Sequence, residues 1–151
     1  MRKKIIAVIG AGTADDAILK IAEEVGKLIA IKGAVLICGG LGGVMDTASK
    51  GAKSVGGITV GILPQNHTKD ANPNIDIPLA TGFGEGRNVI IARTADAIIA
   101  VGGEYGTLSE IAFGLKMGKP VIGIGTWNIK GTIKAKNAED AVEKAFELLS
   151  I

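Results

Sequence analysis

Short apolar runs alternate with helix-period segments along nearly the whole of this 151-residue chain. That alternation predicts an α/β fold: a single domain, residues 1–151, in three layers, with a mainly parallel sheet and helices on both faces. Composition points the same way. Hydrophobic residues make up 47% of the chain but aromatics only 3%, so the core has to be built from Ile, Val, Leu and Ala, which suit parallel strands buried on both sides. The third observation is where glycine falls. Gly39-Gly40-Leu41-Gly42-Gly43 and Gly102-Gly103-Glu104-Tyr105-Gly106-Thr107 each follow an apolar run and each open a helical pattern. A strand that turns into a helix through glycine leaves backbone N–H groups, and the positive end of a helix dipole, at the carboxyl edge of the sheet. Two such turns in so short a chain predict a crevice for an anion, most simply a phosphate.

Taken in order, Lys4–Gly10 is a continuous apolar run that reads as a central strand. Gly10-Ala11-Gly12-Thr13 turns it into a helix over Asp15–Ile31, where Ile18, Ile21, Ala22, Val25, Leu28 and Ile29 recur at helical spacing behind acidic Asp15 and Asp16. Gly33 ends that helix. Ala34–Cys38 is the second strand, Val44–Ser54 a helix, and Ile58–Leu63 the third strand. Pro64–Asn74 is the longest irregular stretch and the segment expected to move most. Ile75–Ala80 is a short strand placed at an edge by Pro78. Gly86–Thr94 follows as a helix, with Asn88–Ala95 an Ala- and Ile-rich surface that suggests self-association, then Ala95–Val101 as a strand, Gly106–Met117 as a helix and Pro120–Ile124 as a strand. Thr126–Asn137 is expected to be a loop holding the only Trp, and Ala138–Leu149 closes the chain as an amphipathic helix. Strand–helix alternation of this kind means right-handed crossovers in a Rossmann-like sheet, with ligands outside the carboxyl ends of the strands. Both glycine clusters lie on that rim.

Several function classes are excluded. A net charge of +2 is too small for a nucleic-acid surface. The lone Cys38 rules out an internal disulfide and a cysteine metal cage, and fits a reducing cytoplasm. The longest apolar stretch, Asn88–Val101, is broken by Arg93, Thr94 and Asp96 and does not span a membrane, and no signal peptide is visible. A soluble, cytoplasmic protein is expected. The dinucleotide fingerprint fails, because Gly10-Ala11-Gly12-Thr13-Ala14-Asp15 carries Asp in place of the third glycine and no acid ends the second strand. No Gly-Lys-Ser/Thr follows a glycine loop, which excludes P-loop chemistry. His67 stands alone in a polar loop and reads as a solvated residue, and Cys38 reads as an inert core thiol. Every Lys falls on a helix exterior, strand end or loop, so a pyridoxal enzyme has no support. Chemistry therefore rests on Arg87 and Glu110, which stand beside the glycines. The guanidinium of Arg87 suits a phosphate or carboxylate because its fork donates two parallel hydrogen bonds. An ordinary surface position explains Arg87 equally well. Glu110 likewise has a structural reading: Thr107-x-x-Glu110 has the spacing of a capping box.

The stretch Arg87-Asn88-Val89-Ile90-Ile91-Ala92-Arg93-Thr94-Ala95-Asp96-Ala97, followed by Gly102 to Glu110, resembles the signature of the Lonely-guy-type proteins. Those are Rossmann-like phosphoribohydrolases with a P-G-G-x-G-T-x-x-E motif behind an arginine helix, often labelled possible lysine decarboxylases. Gly39-Gly40-Leu41-Gly42-Gly43-Val44-Met45-Asp46 is similar to the first glycine-rich turn of that family. The resemblance implies cleavage of the N-glycosidic bond of a nucleoside 5′-monophosphate, with Arg87 and Glu110 in the catalytic positions. It also implies phosphate or ligand contacts from Gly10, Gly12, Gly39, Gly40, Gly42, Gly43, Met45, Asp46, Arg87, Asn88, Gly102, Gly103, Glu104, Tyr105, Gly106 and Thr107. Three departures stand out: Gly102 replaces the motif's Pro, Glu104 its second Gly, and Asn88 a customary Lys. They make the chain look closer to a sister branch, similar to the molybdenum cofactor carrier protein, which binds a phosphorylated pterin. Both branches imply a small phosphorylated ligand (a nucleotide, phosphate or molybdopterin-type molecule), no required cofactor or metal, and a homodimer or larger homo-oligomer. They differ in whether a bond is cut.

Overall fold

The computed structural model describes residues 2–150. Seven strands form one sheet: β1 (Ile5–Gly10), β2 (Val35–Cys38), β3 (Thr59–Leu63), β4 (Ile77–Ala80), β5 (Ala97–Val101), β6 (Val121–Ile124) and β7 (Ile133–Lys134). Their order is β4-β3-β2-β1-β5-β6-β7, and every pairing is parallel. The order reverses between β1 and β5, which places the crevice of an open α/β sheet at their carboxyl ends. Five helices complete the three layers: α1 (Asp16–Ile31), α2 (Val44–Ser54), α3 (Arg87–Thr94), α4 (Tyr105–Lys116) and α5 (Ala138–Leu149).

Alternate strand residues feed two cores. Ile6, Val8, Leu36, Cys38, Ile99 and Val101 meet α1, α2 and α5 on one face, whereas Ala7, Ile9, Ile37, Ile98 and Ala100 meet α3 and α4 on the other. Each fully buried Ile or Leu contributes about 1.5–3 kcal/mol through loss of apolar contact with water. On the first face α1 and α2 approach backbone to backbone. A Cβ on Gly26 would lie 1.8 Å from the Ala48 carbonyl oxygen, and one on Gly51 1.9 Å from that of Glu23. This crossing fixes the start of α2, and hence the first glycine turn, against β1.

Three expectations need correction. Thr126–Asn137 is not all loop: β7 pairs with β6 inside it, a strand of two residues and too short for any periodicity to reveal. The second helix after a glycine cluster starts at Tyr105, capped by Glu104, so Thr107 lies inside α4 and no capping box forms. Gly102 and Gly103, at φ of 59° and 111°, turn the chain early enough to begin the helix there. Pro64–Asn74 is irregular throughout, as expected, and is tied down at Asn72. Asn72 donates from its backbone N–H to the Gly40 carbonyl (2.9 Å) and from Nδ2 to that of Leu41 (2.8 Å). Finally, α3 buries Asn88, Ile91 and Ala92, so it is not an apolar surface helix; Ile77, Leu79 and Phe83, around the edge strand β4, carry more exposure. That β4 pairs only with β3 agrees with the edge position read from Pro78.

Candidate functional site

A cavity of about 1130 Å³ opens at the carboxyl ends of β1, β2 and β5, and both glycine turns face it. The first turn is built by backbone that no other residue tolerates. Gly43 has φ of 64°, and a Cβ there would lie 2.3 Å from the Ala11 carbonyl oxygen. Val44 N–H donates to that same oxygen (3.1 Å), so the turns after β1 and β2 are stitched together. The first helical bond of α2 runs from Thr47 N–H to Gly43, leaving the amides of Met45 and Asp46 without an intrahelical acceptor. In α4 the first such bond runs from Leu108 to Glu104, which leaves Tyr105, Gly106 and Thr107. Two helix N-termini thus converge on one cavity, each with the positive end of its dipole toward it.

Arg87 enters from α3. Its Nε donates to the Ile62 carbonyl (2.8 Å) and its other guanidinium nitrogens reach Asn88 Oδ1 and the space a side chain on Gly39 would occupy. Asn88 Nδ2 in turn donates to Ser109 Oγ (3.2 Å), which donates to the Gly106 carbonyl (2.6 Å). A continuous hydrogen-bonded chain therefore sets Arg87 against the first turn of α4. Glu110, one turn further along α4, lines the same cavity and is only 7% exposed. Burial pushes its carboxyl up to about 8, with Arg87 acting in the opposite direction. Burial also lowers the pKa of Arg87 against the pull of Glu110. Desolvation outweighs mutual attraction on both sides, and no ion-pair contact joins them among the described residues. Burial thus favours the neutral form of the Glu110 carboxyl at pH 7. Cys38 lies beneath, buried, and its thiol is likewise pushed up by burial.

Of the residues singled out from the sequence, Gly10, Gly12, Gly39, Gly42, Met45, Arg87, Asn88, Glu104, Tyr105, Gly106, Thr107 and Glu110 line the cavity together. Gly40, Gly43, Asp46, Gly102 and Gly103 stand behind its wall. Gly40 packs on Leu63, Asp46 accepts from Asn74 Nδ2 (2.7 Å), Gly102 faces Ile18, and Gly103 makes room for Thr107. Thr13, Pro64, Glu85, Ser109 and Phe113 also line the cavity. Helical spacing could have found two of these, because Gly106, Ser109, Glu110 and Phe113 share one face of α4. Thr13 and Pro64 lie on loops and Glu85 in the short 3-10 turn before α3, and none of them gave such a signal. At the rim the Tyr105 ring, 79% exposed, leans on Trp127 with ring centres 5.8 Å apart, and Trp127 Nε1 donates to the Glu104 carbonyl (3.0 Å). The arrangement can hold an anion by backbone amides and one guanidinium, with a protonatable carboxyl beside it.

The chain belongs to the SLOG cluster4 family, whose model matches residues 3–148. In structure it is similar to the molybdenum cofactor binding protein of the phototrophic bacterium Rippkaea orientalis (39% identity, TM-score 0.94, 99% of each chain). It is also similar to the Moco carrier protein of Chlamydomonas reinhardtii (38% identity, TM-score 0.90, 99% of each chain). In sequence it is 57% identical to an uncharacterized protein of Archaeoglobus fulgidus over 80% of each chain. It is 32% identical to the cytokinin riboside 5′-monophosphate phosphoribohydrolase of Mycobacterium tuberculosis, over 73% of this chain and 64% of that one. No helix among the described residues is long and apolar enough to cross a membrane.

Proposed function

We propose that this member of the SLOG cluster4 family binds and carries a small phosphorylated ligand with a ring system, of nucleotide or molybdopterin type. The observation that carries the reading is the convergence of two glycine-turn helix N-termini and Arg87 on one cavity of about 1130 Å³. Its size suits a ligand larger than inorganic phosphate. The acids at its rim divide the ligand's chemistry. Glu85 and Glu104 are exposed and line the mouth, where they would repel phosphate but accept hydrogen bonds from ribose hydroxyls or ring N–H groups. The phosphate end then belongs inside and the donor-rich end at the rim, beside Tyr105. The similarity over 99% of both chains to proteins named for molybdenum cofactor binding and carriage supports this reading.

A second reading, N-glycosidic hydrolysis of a nucleoside 5′-monophosphate, is favoured by the presence of Glu110 beside Arg87 inside the cavity and by the likeness to a phosphoribohydrolase. Both readings predict that AMP or molybdopterin raises the melting temperature, since a ligand at 100 times its Kd adds about 2.7 kcal/mol. R87A should abolish that shift. Chromatography of a panel of nucleoside monophosphates incubated with the protein separates the two readings. No release of free base leaves the carrier, and release that E110Q abolishes supports the hydrolase. If neither ligand shifts the melting temperature, both readings fall. We place self-association at the exposed Ile77, Leu79 and Phe83 around β4, and light scattering of an I77K variant tests it.

A further inference from the structure

A second cavity of about 550 Å³ lies on the same rim, past the ends of β6 and β7 and against the first two turns of α5. Three lysines line it: Lys134, Lys136 and Lys144. Lys144 is paired with Asp140 at 2.8 Å and also donates to the Lys134 carbonyl (3.2 Å), and the Asp140 carboxylate attracts Lys136 without contact. Asp140 spends its second interaction on the Lys136 backbone N–H (3.0 Å). The ammonium groups of Lys134 and Lys136 have no ion-pair partner among the described residues. Trp127, which lines this second cavity, leans on Tyr105 and donates a hydrogen bond to the Glu104 carbonyl, and both of those residues line the first cavity. Beside Trp127 the Thr126 hydroxyl is buried and has no hydrogen-bond partner. A hydroxyl in that state costs free energy until something polar meets it.

We propose that this cavity is a second anion-binding subsite, taking a phosphate group on Lys134 and Lys136, with Trp127 joining it to Tyr105 and Glu104 of the first site. Two unpaired ammonium groups in a concave site attract a dianion more strongly than the same groups on an open surface, because the low-dielectric walls concentrate the field. Asp140 opposes this but is already bonded to Lys144 and to backbone. The anion has two possible sources: a separate small molecule, or a second phosphate on a ligand whose first phosphate sits in the first cavity.

The test is a titration of the full-length, 15N-labelled protein with inorganic phosphate at constant ionic strength, followed by amide and indole NMR shifts. Two sets of shifts are expected, one at Tyr105, Gly106 and Thr107, the other at Gly125, the Trp127 indole and Lys136. K134A/K136A should weaken the second set about tenfold or more and leave the first in place. R87A should do the reverse, so the failure of this subsite and the failure of the first site are distinguishable. Both lysines are exposed, so the double variant should fold with an unchanged melting temperature. Repeating the titration with AMP and with adenosine 3′,5′-bisphosphate present separates the sources. A second set that persists with both means an independent anion, and one that only the bisphosphate displaces means a single ligand with a phosphate in each cavity; either outcome supports the subsite. The proposal is overturned if phosphate moves nothing around Trp127 and Lys136, or if those shifts survive in K134A/K136A.

Discussion

Replacing Glu110 with Gln should make the unliganded protein more stable, and increasingly so as pH rises. The carboxyl is held at about 8 against an ordinary value of 4.5, chiefly by burial. Below pH 4.5 the acid is protonated in both the folded and the unfolded chain, so the shift has no effect on stability. Between 4.5 and about 8 the unfolded chain releases the proton and the folded protein keeps it, so stability falls with rising pH. Above about 8 the loss levels off. At about 1.4 kcal/mol per pH unit, the wild type loses roughly 3 kcal/mol by pH 7 and roughly 5 in all. Gln keeps the shape and has no proton to release. Urea unfolding at pH 4.5, 7 and 8.5 should therefore show E110Q and wild type nearly equal at the lowest pH and separated by several kcal/mol at the highest, with equal m-values. A gap that does not change with pH, or an E110Q protein that is the weaker one at pH 8.5, would mean that Glu110 is ionised and paired with Arg87, and the reasoning would fail. A fold that keeps such a costly acid in its cavity keeps it for something other than stability.

Three further outcomes follow from the packing and the charges. G26V places side-chain atoms where the Ala48 carbonyl stands, 1.8 Å from a Cβ, so it should cost more than about 3 kcal/mol in a thermal melt. Asp96 is held below the usual carboxylate range by its hydrogen bonds from Arg2 and from the Ile5 backbone N–H. D96N should cost about 1–2 kcal/mol at pH 7. Because the folded-state value is depressed, that stability is present above the ordinary pKa, and the gap should close as acid takes the wild type through the lowered value. Cys38, fully buried with its thiol pushed up by desolvation, should ignore a thiol reagent such as dithionitrobenzoate in the native protein and react at once in denaturant.

The strands and helices were legible because nearly all of them are long enough to show a period. Ile5–Gly10 and Ala97–Val101 are apolar throughout, and α1 and α5 carry clear amphipathic stripes behind side-chain caps, Asp15 and Asn137. β7 was illegible for the opposite reason: two residues have no period, and only the pairing with β6 makes them a strand. The glycine clusters announced the site but not the division of labour within each. Sequence cannot say that Gly39 and Gly42 face the cavity while Gly40 and Gly43 face the protein, because the difference lies in φ and in the neighbours, Leu63 and Ala11, that a side chain would strike. The capping-box reading of Thr107 and Glu110 was open because their spacing fits one. The helix starts three residues earlier than that reading requires, and the carboxyl is thereby freed to enter the cavity.

The protonation of Glu110 also separates carrying from cutting. A ribosyl cation is stabilised by a carboxylate; a neutral acid supplies it no charge and acts instead as a proton donor. A phosphate bound nearby adds negative charge and drives Glu110 further toward its neutral form. On the proposed reading, a bound phosphorylated ligand would thus favour the neutral form of Glu110 over the ionised one. Affinity for AMP, measured by calorimetry, should accordingly weaken as pH rises from 7 through the region of about 8 where Glu110 ionises. The phosphate itself is already close to fully dianionic in that range, so its own titration contributes little. E110Q, with nothing to ionise, should bind with nearly constant affinity over the same interval, while any hydrolysis by wild type should rise with pH as binding falls. If E110Q loses affinity as steeply as wild type does, the acid that titrates is not Glu110, and its placement beside the bound phosphate is wrong.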